Sequence, residues 1–165
     1  MLKKAFYTTT ALFLACLVLG LSSSCKKSCV IETADTSSGT ILEDISVFPS
    51  SGGLTGSMLG QTYNITASHN YASNFEMSLD DGITKTPVNY SSYSILCFPM
   101  LVNCEVSFER EVSVNATAGT ATYRIRAYQC KEAKCDEQRI VENYVTVPAI
   151  PESYTIIYDV DIVEN

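Results

Sequence analysis

The stretch Cys104-Glu-Val-Ser-Phe-Glu-Arg-Glu-Val-Ser-Val-Asn-Ala-Thr-Ala-Gly-Thr-Ala-Thr-Tyr-Arg-Ile-Arg-Ala-Tyr-Gln129 decides the fold. Cys104, Val106, Phe108, Val112 and Val114 share one parity, interrupted only by Arg110. After Ala118-Gly119 the chain reverses; Ala121, Tyr123, Ile125 and Ala127 then share a parity, and Thr122, Arg124 and Arg126 take the other. Successive side chains of a strand point to opposite faces, so the pattern predicts two long strands with one buried and one wet face. The hairpin is the expected spine of a sheet, with Val112, Val114, Tyr123 and Ile125 in its core.

Working outward, helical periodicity is nearly absent, and short runs rich in Val, Ile, Tyr, Thr and Phe alternate with turn clusters. Strands are expected over residues 41–48, stopped by Pro49-Ser50-Ser51-Gly52-Gly53, and over 61–68, with Tyr63, Ile65 and Ala67 on one face. Phe75, Met77 and Leu79 mark another, closed by the tight turn Asp80-Asp81-Gly82, and residues 93–97 continue the series. Two more, over 140–147 and 154–163, flank Pro148-Ala149-Ile150-Pro151, whose prolines cannot donate to a ladder and so mark a crossing. About eight strands at this spacing predict an all-β, antiparallel two-sheet sandwich, with a barrel as the runner-up. Val112-Ser-Val-Asn-Ala-Thr-Ala-Gly-Thr-Ala-Thr-Tyr-Arg-Ile-Arg-Ala-Tyr128 resembles the last hairpin of bacterial immunoglobulin-like domains. Strands continue past Tyr128 and the chain has no tryptophan, so the resemblance implies an extended or permuted relative of that sandwich.

The beginning of the chain carries a different signal. Lys3 and Lys4 precede an apolar run from Ala11 to Leu21, and Ser22, Ser23 and Ser24 lead to Cys25. The run is well short of the roughly 20 residues a permanent membrane-spanning helix needs. It resembles the signal peptide of a bacterial lipoprotein, although Ser22 stands where that family usually has Leu, Val or Ile, and Cys16 is a rival acceptor. The resemblance implies cleavage after residue 24, diacylation (palmitate-type) of Cys25, and attachment to the outer membrane of a bacterial cell envelope; an ordinary secretory signal is the alternative. The expected organisation is a signal over 1–24, an acylated flexible tether over 25–40 and one domain over 41–165. Two acyl chains suffice for stable anchoring, and Lys26 and Lys27 add attraction to anionic headgroups. A flexible tether of that length spans about 20–25 Å.

Loss of Lys3 and Lys4 leaves 9 of the 11 basic residues against 18 acidic ones, a net charge of −9. So acidic a surface repels phosphate backbones, and nucleic acid is excluded as a partner. In an oxidising compartment Cys97, Cys104, Cys130 and Cys135 are disulfide candidates. The spacings favour local pairs, Cys97 with Cys104 and Cys130 with Cys135, each loop closure contributing roughly 2–2.5 kcal/mol; a cross-strand connectivity stays open. Cys29 is left over, as a free thiol, a mixed disulfide or an intermolecular link. These spacings fit structural zinc poorly, and no metal or other cofactor is expected.

No sequence constellation points to catalysis. His69, the one histidine, sits in a polar stretch and reads as an exposed loop residue. Gly52-Gly53-Leu54-Thr55-Gly56 lacks the lysine of a phosphate loop. Asp80-Asp81 and Asp159-x-Asp161 are too few oxygens for calcium. Tyrosine is abundant, ten residues, and Tyr63, Tyr71, Tyr90 and Tyr93 are the binding candidates, able to grip a glycan or peptide. The expected function is a non-enzymatic, membrane-tethered module for binding, adhesion or envelope assembly; the alternative is a small envelope hydrolase with paired carboxylates.

Overall fold

The computed structural model describes residue 31 and residues 34–49, 59–80, 82–103, 105–130 and 138–164. The signal segment, Cys25, Cys29, the glycine-rich stretch, Asp81, Cys104 and Cys135 lie outside the described residues. Among the described residues, apart from one 3-10 turn, Ala72–Asn74, the regular structure is all strand: β1 (Thr36–Gly39), β2 (Ser46–Pro49), β3 (Tyr63–Ile65), β4 (Phe75–Ser78), β5 (Thr86–Pro87), β6 (Tyr93–Cys97), β7 (Met100–Val102), β8 (Val106–Asn115), β9 (Thr120–Gln129), β10 (Arg139–Val141), β11 (Val145–Pro148) and β12 (Thr155–Glu164). The fold is all-β and sandwich-like.

The expected hairpin is its spine. β8 and β9 pair antiparallel from Val106 opposite Gln129 to Asn115 opposite Thr120. Gly119, at φ 63, supplies the left-handed residue of the turn. Val112, Tyr123, Ile125 and Ala127 are fully buried, as alternation requires. Val114 departs from the expectation and is 43% exposed. β1 ends opposite Val112, so among the described residues no strand pairs with β8 beside Val114 on that side, whereas its partner Ala121 is flanked by Ile156 of β12.

The hairpin is flanked on both sides by parallel strands, in the order β1-β8-β9-β12, which corrects the purely antiparallel expectation. A parallel neighbour needs a long crossover, and both crossovers pass through other sheets: β2 to β7 intervene between β1 and β8, and β10 and β11 between β9 and β12. The wet face carries ion pairs across strands, Glu111 and Asp159 on either side of Arg124 at 3.0 and 2.9 Å, and Asp161 on Arg126.

Beneath this sheet lies β11-β6-β3, and beyond it β2-β4-β5; β10 and β7 form a two-stranded ribbon. Ser94, Ile95, Leu96 and Cys97 of β6 are all buried, with no alternation. Leu96, Val145 and Val147 pack with Val112, Tyr123 and Ile125 in one core. Ile95, Cys97, Tyr63 and Ile65 face the other way, into a second core with Phe75 and Val47. The expected two layers are therefore three. A strand covered on both faces reads as a continuous apolar run, which is what Tyr-Ser-Ile-Leu-Cys shows.

The tether also ends sooner than residue 40. β1 pairs with β8 from Thr36 opposite Glu109 to Gly39 opposite Val112, and Thr40 N donates to Val112 O at 2.8 Å. Gly39 has φ 75, and a Cβ there would stand 2.1 Å from Val112 O, so only glycine fits. Composition misleads here, because Thr-Ser-Ser-Gly looks like linker yet bonds through its backbone.

Candidate functional site: a cavity at the edge of the middle sheet

From β1 in the first sheet the chain crosses to β2 in the third, passing the free edge of β11. Leu42 N donates to Thr146 O at 2.9 Å and holds this crossing segment against the edge. A cavity of about 380 Å³ lies between the crossing segment, β2, β11 and Arg110 of β8. That volume is in the range of small-molecule sites, roughly 300–1,000 Å³. Its wall is mixed: Ile41, Leu42, Ile45, Val47 and Phe48 are apolar, Ser37, Ser46 and Thr146 bear hydroxyls, Glu43 and Arg110 add one charge of each sign, and polar atoms make up the larger share of the exposed surface. The hydroxyl of Thr146 is buried without a hydrogen-bond partner among the described residues.

Arg110 is the residue that broke the alternation of β8. It stands opposite Ile125 on the buried parity, and its side chain is 13% exposed. Its charge is balanced by a compact set of partners. Nε and Nη2 donate to Asn143 Oδ1 at 3.1 and 3.0 Å, and Nη1 donates to Asp35 Oδ2 at 3.0 Å. The guanidinium lies 4.5 Å over the Phe108 ring. Asn143 adopts φ 47, a left-handed conformation that asparagine tolerates better than most residues, and its Nδ2 donates to Phe98 O and Val141 O. The Tyr123 hydroxyl donates to Asn143 O at 3.0 Å, and burial pushes its pKa far up, so it stays a donor. Asp35 has a second contact, Phe108 N to Oδ1 at 3.0 Å, and thereby pins the start of β1 to β8.

The four tyrosines proposed from sequence lie elsewhere. Tyr63 is buried in the second core, its hydroxyl donating to Gln61 Oε1 at 2.9 Å and its carbonyl accepting from the Tyr158 hydroxyl. Tyr71 packs edge-on against it at 6.1 Å. The hydroxyl of Tyr90 donates to Ala72 O at 2.9 Å, and burial pushes its pKa up to about 12. Tyr93 is half-buried in β6 opposite Pro148. Tyr63, Tyr71 and Tyr90 thus belong to one packed cluster, and the rings of the cavity are Phe48 and Tyr144. His69 is not the exposed loop residue expected: it is half-buried, 6.2 Å from the Tyr63 ring and 5.5 Å from that of Tyr71. Its Nδ1 accepts from Tyr71 N at 3.2 Å, and burial lowers its pKa.

Cys97 corrects the expected Cys97–Cys104 pair, because it is a buried free thiol. Its side chain points into the second core and donates to Glu142 O at 2.8 Å, and burial drives its pKa well up. Cys130 is buried at the end of β9, beside Glu105, with Asn103 Nδ2 donating to its carbonyl at 2.8 Å. The carboxylates weighed for calcium are engaged within the chain. Asp80 accepts from Ser78 Oγ and Thr84 N at 2.6 and 2.8 Å, bonds that hold its carboxyl down at about 2, and Asp159 and Asp161 pair with arginines. Among the described residues no helix is long and apolar enough to cross a membrane.

Sequence reasoning noticed Arg110 only as an interruption, and that interruption was the signal; Asp35 and Asn143 left none. Comparison with protein-family models, curated proteins and solved structures finds no match to this chain.

Proposed function

We propose that this protein is a membrane-tethered bacterial envelope lipoprotein whose β-domain is a non-enzymatic binding module, with the cavity at the edge of the middle sheet as its site. The observation that carries this reading is the continuity of anchor and site. The segment that follows the proposed tether becomes β1 and then walls the cavity through Ile41, Leu42 and Ile45. A ligand held there sits where the chain leaves for the membrane. The charge-grease-serine-cysteine order of residues 1–25 supports the anchor, with Cys25 as the acylated residue.

Export also favours a disulfide at Cys130. With Cys97 free, Cys104 and Cys135 are its candidate partners. Peptide mapping of the oxidised protein distinguishes the two pairings.

The anchor is tested by labelling with radioactive palmitate in a Gram-negative host. Label is expected in the wild type and absent in Cys25→Ala; label that survives Cys25→Ala but not Cys16→Ala moves the acceptor, and no dependence on either refutes the lipoprotein. The site is tested by filling it. Ser46→Trp, on the cavity wall, is expected to abolish ligand-induced thermal stabilisation of a soluble protein beginning at Ile31, and unchanged stabilisation places binding elsewhere.

A further inference from the structure

We propose that the cavity binds a small molecule with an apolar body and a single carboxylate, the carboxylate meeting the guanidinium of Arg110; this rests on the reading of the domain as a binding module. Among the described residues that line the cavity, Ile41, Leu42, Ile45, Val47 and Phe48 are apolar and Arg110 is the one cation.

Arg110 is pre-organised for such a partner. A guanidinium has five N–H donors in a fixed fork. Asn143 takes two of them, Asp35 one, and the Tyr123 hydroxyl lies within hydrogen-bonding reach of the group, so one is left on the terminal nitrogens. The grip of Asn143 and the Phe108 ring comes from the body of the fold and fixes the orientation before any ligand arrives, which lowers the entropic cost of binding. The existing counter-ion is weakly held by comparison. Asp35 is 54% exposed, contacts the guanidinium through one nitrogen, and lies just before β1. An incoming carboxylate competes with Asp35 for the guanidinium.

Charge limits the ligand as well. Asp35 bonds the same cation, and Glu43, exposed on the lining, adds a second negative charge, so a dianion such as phosphate is repelled about twice as strongly as a monocarboxylate. Thr146, whose hydroxyl is buried without a hydrogen-bond partner among the described residues, also belongs to the lining.

The test uses octanoate, octan-1-ol and octylamine, which share a chain and differ in head group, titrated calorimetrically into the soluble protein beginning at Ile31. Octanoate is expected to bind at least tenfold more tightly than the other two. Arg110→Gln is expected to reduce octanoate to the level of octanol. Because Arg110 also braces Asn143, Asp35→Asn provides the complementary variant: removal of the competing carboxylate is expected to tighten octanoate several-fold. Ser46→Trp is expected to abolish binding of all three. Octanol binding as tightly as octanoate, and lost in Ser46→Trp, overturns the carboxylate while leaving the binding module intact. Tighter binding of octylamine, or octanoate affinity indifferent to both Arg110→Gln and Asp35→Asn, likewise overturns it. Absence of binding by any of the three overturns both the proposal and the cavity as the site.

Discussion

Ile95 and Leu96 are neighbours on β6 and both are fully buried, Ile95 in the core shared with Tyr63 and Phe75, Leu96 in the core shared with Val112 and Tyr123. In a two-layer sandwich one of two successive strand residues faces water and tolerates truncation. Here both Ile95→Ala and Leu96→Ala open a cavity in a packed interior, at a cost of about 2–5 kcal/mol each. A domain has roughly 5–15 kcal/mol in total, so either change removes a large share of its stability. Urea unfolding followed by tyrosine fluorescence is the assay, with the midpoint falling at constant slope. Ile157→Ala on β12, where the side chain is 45% exposed, is the control and is expected within about 0.5 kcal/mol of wild type. If either β6 variant also falls within about 0.5 kcal/mol, that face of the middle sheet is uncovered and the three-layer arrangement is wrong.

Other consequences are equally specific. Gly39→Ala drives a methyl into Val112 O and demands an unfavourable φ, so it is expected to detach β1, seen as lost amide protection at Thr40 with the β8–β9 hairpin still folded. Tyr123→Phe leaves the buried carbonyl of Asn143 short of a donor and is expected to cost about 1–3 kcal/mol in urea unfolding. Asp80 has a folded-state carboxyl held at about 2, below its ordinary value of 3.8. Its contribution to stability is therefore complete above the unfolded value and lost as pH falls through about 2. Comparison of wild type with Asp80→Asn is expected to show a stability difference that shrinks between about pH 4 and pH 2; a pH-independent difference contradicts the assigned hydrogen bonds.

The hairpin was legible because a strand covered on one face writes its burial as alternation; residues 121–127 show it throughout, and residues 106–112 show it apart from Arg110 and the buried Ser107. The middle sheet was less legible. Tyr93 to Cys97 has no alternation, and a run of that kind announces a strand without saying that two different layers cover it. Parallel pairing at both edges leaves no local mark, since it depends on where long crossovers return the chain. β1 was missed because Thr-Ser-Ser-Gly joins the sheet through backbone bonds and buries little side chain. The site was least legible of all. Arg110 was visible as a charged residue on a buried parity, but Asp35 and Asn143, 75 and 33 residues away, come to it only through the fold.

The central claim is that the segment leaving the proposed tether is built into the domain and forms the wall of its cavity. Residue-resolved amide hydrogen exchange tests it most directly, through Thr40 N bonded to Val112 O and Leu42 N bonded to Thr146 O. Both amides are predicted to exchange far more slowly than an unstructured peptide, with protection at Thr40 lost in Gly39→Ala. Exchange of both at the unstructured rate, while Tyr123 and Ile125 remain protected, contradicts the claim and returns residues 35–42 to the tether.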